Sequence, residues 1–150
     1  MILQQYYKEF NVSLHDILKY NNDYIIKDED FNDNQNNWNL SIQKKSINDK
    51  YFISFKISNL KNIGKAIKTN LVFYIRNDTD YSYFKAKGTN NFIYFGETNN
   101  NDNYLSIKFI DNFTMDKFLT IEELSKLFSN CNSIIAGVYI CIYNNNGIII

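Results

Sequence analysis

Asn37-Trp38-Asn39-Leu40-Ser41-Ile42 opens the stretch that decides the fold, and Lys50-Tyr51-Phe52-Ile53-Ser54-Phe55-Lys56-Ile57-Ser58 continues it. The stretch closes on Thr69-Asn70-Leu71-Val72-Phe73-Tyr74-Ile75-Arg76-Asn77. All three pieces alternate. Trp38, Leu40 and Ile42 fall on one side, with Asn39, Ser41 and Gln43 on the other. Ile53, Phe55 and Ile57 alternate with Phe52, Ser54, Lys56 and Ser58. Leu71, Phe73 and Ile75 alternate with Val72, Tyr74 and Arg76. A two-residue period sends successive side chains to opposite faces, so each piece reads as a strand with one face in a core. Three such strands joined by polar loops predict the middle of an antiparallel β-sandwich.

Length and charge set the outer bounds. A chain of 150 residues suffices for a single domain with a sizeable core, expected here to span 1–150. Lys plus Arg and Asp plus Glu number 16 each, so the chain is formally neutral. That balance supplies no pull toward DNA, RNA or an anionic membrane, and neither nucleic acid nor membrane is an expected partner. Arg76 is the one arginine, and hence the one side chain able to clamp a phosphate or carboxylate bidentately. Asparagine runs such as Asn99-Asn100-Asn101 and Asn144-Asn145-Asn146 read as loop.

Cys131 and Cys141 match no zinc or redox spacing and read as small buried hydrophobes. The opening Met-Ile-Leu-Gln-Gln-Tyr-Tyr-Lys-Glu lacks a signal peptide's basic start and apolar core. No apolar run approaches the roughly 18 residues of a membrane span. The expectation is a reduced, cytoplasmic protein.

Around the central strands the chain reads in order. Residues 1–10 predict an edge strand. Ser13 with Asp16 fits a helix N-terminal cap, predicting one or two turns from Leu14 to Tyr20, with Val12 stapled to Ile17. Tyr24-Ile25-Ile26-Lys27 makes a short strand, followed by an acidic loop from Asp28 to Asn37 in which Phe31 folds back onto the sheet. A hairpin turn is expected at Ile47-Asn48-Asp49, and another turn at Gly64. Phe84 to Gly88, Phe92 to Phe95, and Tyr104 to Ile110 are further strand candidates, the last with Leu105, Ile107 and Phe109 on one face. Thr120 and Glu123 form a capping box with Leu119 and Leu124 at staple positions, and Ile121, Leu124, Leu127 and Phe128 share one helical face. Ser133 to Tyr143 is so apolar that it reads as a central strand covered on both faces, or as an oligomer contact. The predicted class is therefore all-β: an antiparallel sandwich of about 8 strands with one or two short helices.

This order of features resembles the meprin and TRAF homology domain, the MATH or TRAF-like β-sandwich. Three stretches carry the resemblance: Ile25-Ile26-Lys27, Phe31 and Trp38 to Ile42; Lys50 to Ile57 with Leu71 to Asn77; and Phe118-Leu119, Leu124 and Ile134 to Tyr143. It covers residues 24–143. Phe113-Thr114-Met115 stands where the family has a Trp-Gly-aromatic signature, and the excursion at 77–103 is longer than usual.

No residue pattern signals catalysis, and the reading is not an enzyme. His15 has no Cys or Ser partner at a motif spacing. Asp28-Glu29-Asp30 and Glu122-Glu123 are explained by solvation and the helix dipole. Asp28, Asp30 and Asp33 lack the glycine and terminal glutamate of an EF-hand loop. No phosphate loop occurs, and neither cofactor nor metal is expected. The resemblance implies instead a non-enzymatic, adaptor-like interaction module. Its partner would be a short linear peptide, held extended in a shallow groove on one sheet. By position the groove would fall on Lys56, Leu71, Leu105, Asn112, Phe113 and Met115. Core packing is the competing assignment for Leu71, Phe113 and Met115. Two alternatives stay open: a carbohydrate- or other ligand-binding sandwich, with Tyr81, Tyr83, Tyr94 and Tyr104 as a face to stack on sugar rings, and a structural subunit that self-associates into a homo-oligomer through its last strand.

The capping box yields a direct test. Thr120→Ala is expected to lower the unfolding free energy by about 1 kcal/mol. A urea midpoint that does not move would show that the segment is not capped at this position.

Overall fold

The computed structural model describes residues 2–33, 36–60, 66–79, 83–96 and 108–143. Ten strands and two short helices occur among them: β1 Ile2–Ser13, α1 Leu14–Lys19, β2 Tyr24–Asn32, β3 Asn37–Ile47, β4 Lys50–Asn59, β5 Ile67–Asn77, β6 Phe84–Gly88, β7 Ile93–Phe95, β8 Phe109–Ile110, β9 Asn112–Thr120, α2 Ile121–Leu127 and β10 Ser133–Tyr143. One sheet runs β1-β10-β5-β7-β8, with β6 also paired to β5; the other runs β2-β3-β4-β9. Every pairing is antiparallel except β7 with β8. The sandwich read from the alternation is the observed architecture.

The alternating residues face each other across the two layers. Trp38, Leu40, Ile42, Ile53, Phe55 and Ile57 from one sheet meet Phe73, Ile75, Val138 and Ile140 from the other, all essentially without exposed surface. Aromatic pairs fill the middle. Phe55 lies 5.1 Å from Phe73 and 5.0 Å from Phe118, and Trp38 meets Phe95 edge-on at 5.2 Å, centroid to centroid. Such pairs add to the hydrophobic burial because ring edges and faces carry opposite partial charge.

Local chemistry sets the connections. Asn48 and Asp49 both have positive φ, 51° and 66°, as a two-residue hairpin whose twist matches its strands requires. Asn and Asp tolerate that region better than other side chains with a Cβ. Ser13 accepts from the Asp16 amide and caps α1. The Thr120 hydroxyl accepts from the Glu123 amide, and the Thr120 amide donates to Glu123 Oε1, completing the capping box of α2. The Thr120 amide, and next the Thr120 hydroxyl, which also donates to Glu123 Oε1 at 2.9 Å, hold the Glu123 carboxyl below its usual range. The buried amine of Lys44 donates to the carbonyls of Ile17 (2.9 Å) and Tyr20, the orphaned acceptors at the end of α1. Burial lowers the pKa of that amine.

Cys131 and Cys141, read as buried, are each only partly so, and the elements depart from the sequence reading in four places. The acidic segment after Lys27 is strand rather than loop as far as Asn32. Asn39 Nδ2 on β3 donates to Asp28 Oδ1 (2.5 Å) and Asp30 Oδ1 (2.9 Å), so a cross-strand amide offsets the carboxylates' mutual repulsion. Leu127 is 44% exposed, because α2 ends there after two turns; Leu124 and Phe128 are buried and Ile121 packs partly buried against the core. β10 is central but buried on one face only, and both its edges are taken, by β1 and by β5. It therefore has no free edge through which a second chain could pair. The fourth is the parallel pairing of β7 with β8. The turn expected at Gly64 and the strand residues 104–107 lie outside the described residues.

At Gly137 the six-stranded sheet leaves no room for a side chain. A Cβ there would sit 2.5 Å from the Lys8 carbonyl oxygen and 2.8 Å from the Glu9 Cβ. Backbone cannot yield as a side-chain tip can. Gly137→Ala is expected to destabilise the domain by about 1–3 kcal/mol through overpacking, measured by thermal or urea unfolding. A fully tolerated alanine would mean that β1 and β10 can separate locally at no cost.

Candidate functional site

β9 is the last strand of the four-stranded sheet, and among the described residues it pairs with β4 alone. Its pairing falls into two parts. Asn112, Phe113, Thr114 and Met115 stand opposite Ser58, Ile57, Lys56 and Phe55. The register then shifts, so that Leu119 stands opposite Ile53. Asp116, Lys117 and Phe118 are thus crowded against Ser54. The shift lets two consecutive residues, Phe118 and Leu119, both be buried, which a regular strand cannot do. Asp116 pins the irregularity from the outside, accepting from Lys45 Nζ at 3.0 Å and from the buried Ser54 hydroxyl at 3.1 Å.

The far edge of β9 is closed over its second half only. Lys87 of β6 reaches across from the opposite sheet and donates to the Lys117 carbonyl at 3.2 Å, its amine 5.8 Å from the centre of the Phe118 ring. Among the described residues, what remains is the short edge from Asn112 to Met115. Below it Phe113 is half-buried and stacked on Phe73, rings 6.1 Å apart and 12° from parallel. Lys87 escaped the sequence reading: nothing in Phe84 to Gly88 says which strand of the other sheet it will lie beside.

The residues singled out from the resemblance divide accordingly. Asn112, Phe113 and Met115 come together on β9, with Lys56 directly across on β4. Lys56 and Thr114 point to the outer face, whereas Phe113 and Met115 lean inward against the core. Leu71 is not brought to this edge. It lies in β5 of the other sheet with no exposed surface, and its side chain serves the core. Leu105 lies outside the described residues. Of the tyrosines considered as a stacking face, Tyr81 and Tyr104 also lie outside them. Tyr83 and Tyr94 do not line up: the neighbouring Phe84 pairs with Arg76 and Tyr94 with Lys68, at opposite ends of β5. Eight residues of strand separate those positions, roughly 27 Å.

A second concavity of about 460 Å³ lies between the β3–β4 hairpin and α2, lined by Lys50, Tyr51, Thr120, Ile121, Glu122, Glu123 and Lys126. Its polar groups are largely committed. Glu123 completes the cap, and Glu122 pairs with Lys126 at 3.3 Å. Among the described residues, no three His, Cys, Asp or Glu side chains are grouped to hold a metal ion, and no helix is long and apolar enough to cross a membrane.

Comparison of the chain with protein-family models finds no match, and comparison with curated proteins finds none of significant similarity.

The stack of Phe113 on Phe73 sets a stability expectation. Phe113→Ala removes part of the inter-sheet contact but empties a half-exposed position. It should cost about 2 kcal/mol, below the 3–5 typical of a fully buried phenylalanine, and the domain should still fold. Chemical denaturation with near-ultraviolet circular dichroism reads both; loss of all cooperative unfolding would make Phe113 an indispensable core residue.

Proposed function

We propose that this domain is a non-enzymatic interaction module that binds a short extended peptide along the free edge of β9, in the manner of the MATH-type sandwiches it resembles. The observation that carries the reading is the edge itself. Among the described residues, Asn112 to Met115 is a strand segment paired on one side only, at the rim of the sandwich. An added strand gains main-chain hydrogen bonds there without displacing any described pairing. Its side chains would alternate between two environments. One set would meet the half-buried Phe113 and Met115 at the mouth of the core, and the other the exposed Thr114 and Lys56 on the outer face. The hydrogen-bonding edge is only four residues long before Lys87 and the Asp116 irregularity close it. The recognised core of the ligand is accordingly short, and its specificity rests on two or three side chains. Thr114, where the family has glycine, keeps the backbone from a left-handed turn, so the groove follows the strand's own line.

The test is a residue-resolved nuclear magnetic resonance titration with a panel of extended Ser/Thr-rich peptides. The amides of Asn112, Phe113, Thr114 and Met115 should shift together with Lys56, and Phe113→Ala should weaken binding tens-fold, the equivalent of about 2 kcal/mol. Shifts confined to another part of the sandwich, or a panel without any binder beside a glycan array that yields one, would overturn the reading.

A further inference from the structure

The two sheets present unlike outer faces. That of β2-β3-β4-β9 carries Asp28, Asp30, Lys45, Lys56 and Asp116, charges of both signs that are exposed or partly exposed. That of the six-stranded sheet is built differently. Pairing sets Tyr7, Tyr139 and Val72 side by side in one row, and Ile135, Arg76 and Phe84 in another. Tyr7 and Phe84, at opposite ends, are 63% and 61% exposed. The outward residues of β10 and β5 between them, the buried Gly137 apart, all keep some exposed surface.

Several polar side chains of this face are bonded to one another. The Tyr139 hydroxyl donates to Gln5 Oε1 at 2.5 Å, and Asn70 Nδ2 donates to the Tyr143 hydroxyl at 3.3 Å. The Tyr74 hydroxyl (2.6 Å) and the Arg76 guanidinium (3.0 Å) both donate to the Glu9 carboxylate, through the notch that Gly137 leaves. Burial, then the bond to Glu9, pushes the Tyr74 hydroxyl above its ordinary value, so it remains a donor. The Glu9–Arg76 pair thus cancels its own charge inside the face, and Lys68 stands at the far end, its amine 4.1 Å from the centre of the Phe92 ring.

A surface on which many donors and acceptors are paired internally can be covered with few of them orphaned, which lowers the main cost of burying polar groups. The same property makes it a poor site for a sugar, which needs unpaired donors and acceptors, or for a charged segment, which needs unpaired charge. Its match is another surface of low net charge whose polar groups are mostly paired internally, and each copy of this chain carries one. The size is also right. Eleven residues of β10 and four strands abreast span roughly 37 by 19 Å, or about 700 Å² per copy. Two such faces bury about 1,400 Å², within the range of stable specific interfaces.

We propose that the outer face of the six-stranded sheet is the interface of a twofold homodimer, with Tyr7, Val72, Ile135, Tyr139 and Phe84 supplying its apolar contact. This goes beyond the peptide reading and is independent of it, since β9 lies in the other sheet. It also differs from association through the last strand's edge, because β10 contributes its face.

Sedimentation velocity on the full chain over a dilution series tests it. The wild-type chain should show a reversible monomer–dimer equilibrium. In a twofold contact every substitution appears twice, so Val72→Lys and Tyr7→Lys should each weaken association by about tenfold or more. Lys56→Glu, on the other sheet's outer face, should leave it unchanged. Tyr7 is the safeguard against misfolding, being largely exposed on an edge strand. A chain that stays monomeric up to about 1 mM overturns the proposal. So does a dimer indifferent to both lysine substitutions, and so does a monomer that binds glycans through Tyr7 and Tyr139.

Discussion

Phe55 holds the two layers together. From β4 it meets Phe73 of the opposite sheet and, edge-on, Phe118 of its own, and it has no exposed surface. Trp38 against Phe95 repeats the arrangement toward the other end of the sandwich. Rings of this size set the separation of the sheets, and the aliphatic residues between them fill what is left. Everything functional lies at the borders of this packing: the edge strands, and the faces pointing away from it.

The shape of β9 follows from the same constraint. Phe118 must reach Phe55, and Leu119 must reach the core before the chain turns into α2. Two adjacent inward side chains break the two-residue period, so the strand is forced out of register with β4. Asp116 and Lys87 then secure the irregular half from outside and from across the sheets. Among the described residues, the regular half is left with one unpaired edge. The accessible strand is thus a by-product of core packing further along it.

The contrast between the two outer faces has a parallel logic. Sheets with one face in a core are free to vary the other. In the four-stranded sheet that freedom is used for exposed charge. In the six-stranded sheet it is used for tyrosines, amides and one self-contained ion pair, whose partners sit on β1 and β5 with Gly137 of β10 between them. Because that network joins the first strand of the chain to a middle one across the last, it also fixes their mutual register.

By itself the sequence determined what depends on neighbours in the chain. Alternation in the three central strands, the Asn48-Asp49 hairpin and the capping residues Ser13, Thr120 and Glu123 are local relations. Each is set by backbone geometry within a few residues, and each stands in the fold as read. The core was legible for the same reason, since a period of two names the residues that share a face. Tertiary structure alone decided which strands adjoin. Only that placed Leu71 in the core of the far sheet while Lys56, Asn112, Phe113 and Met115 met on one edge. Only that carried Lys87 to the Lys117 carbonyl, and turned the acidic segment after Lys27 into strand by setting Asn39 beside Asp28 and Asp30. Those contacts join residues far apart in the chain. They are selected by the shared burial of two sheets, a property of the packed whole that no stretch of sequence carries on its own.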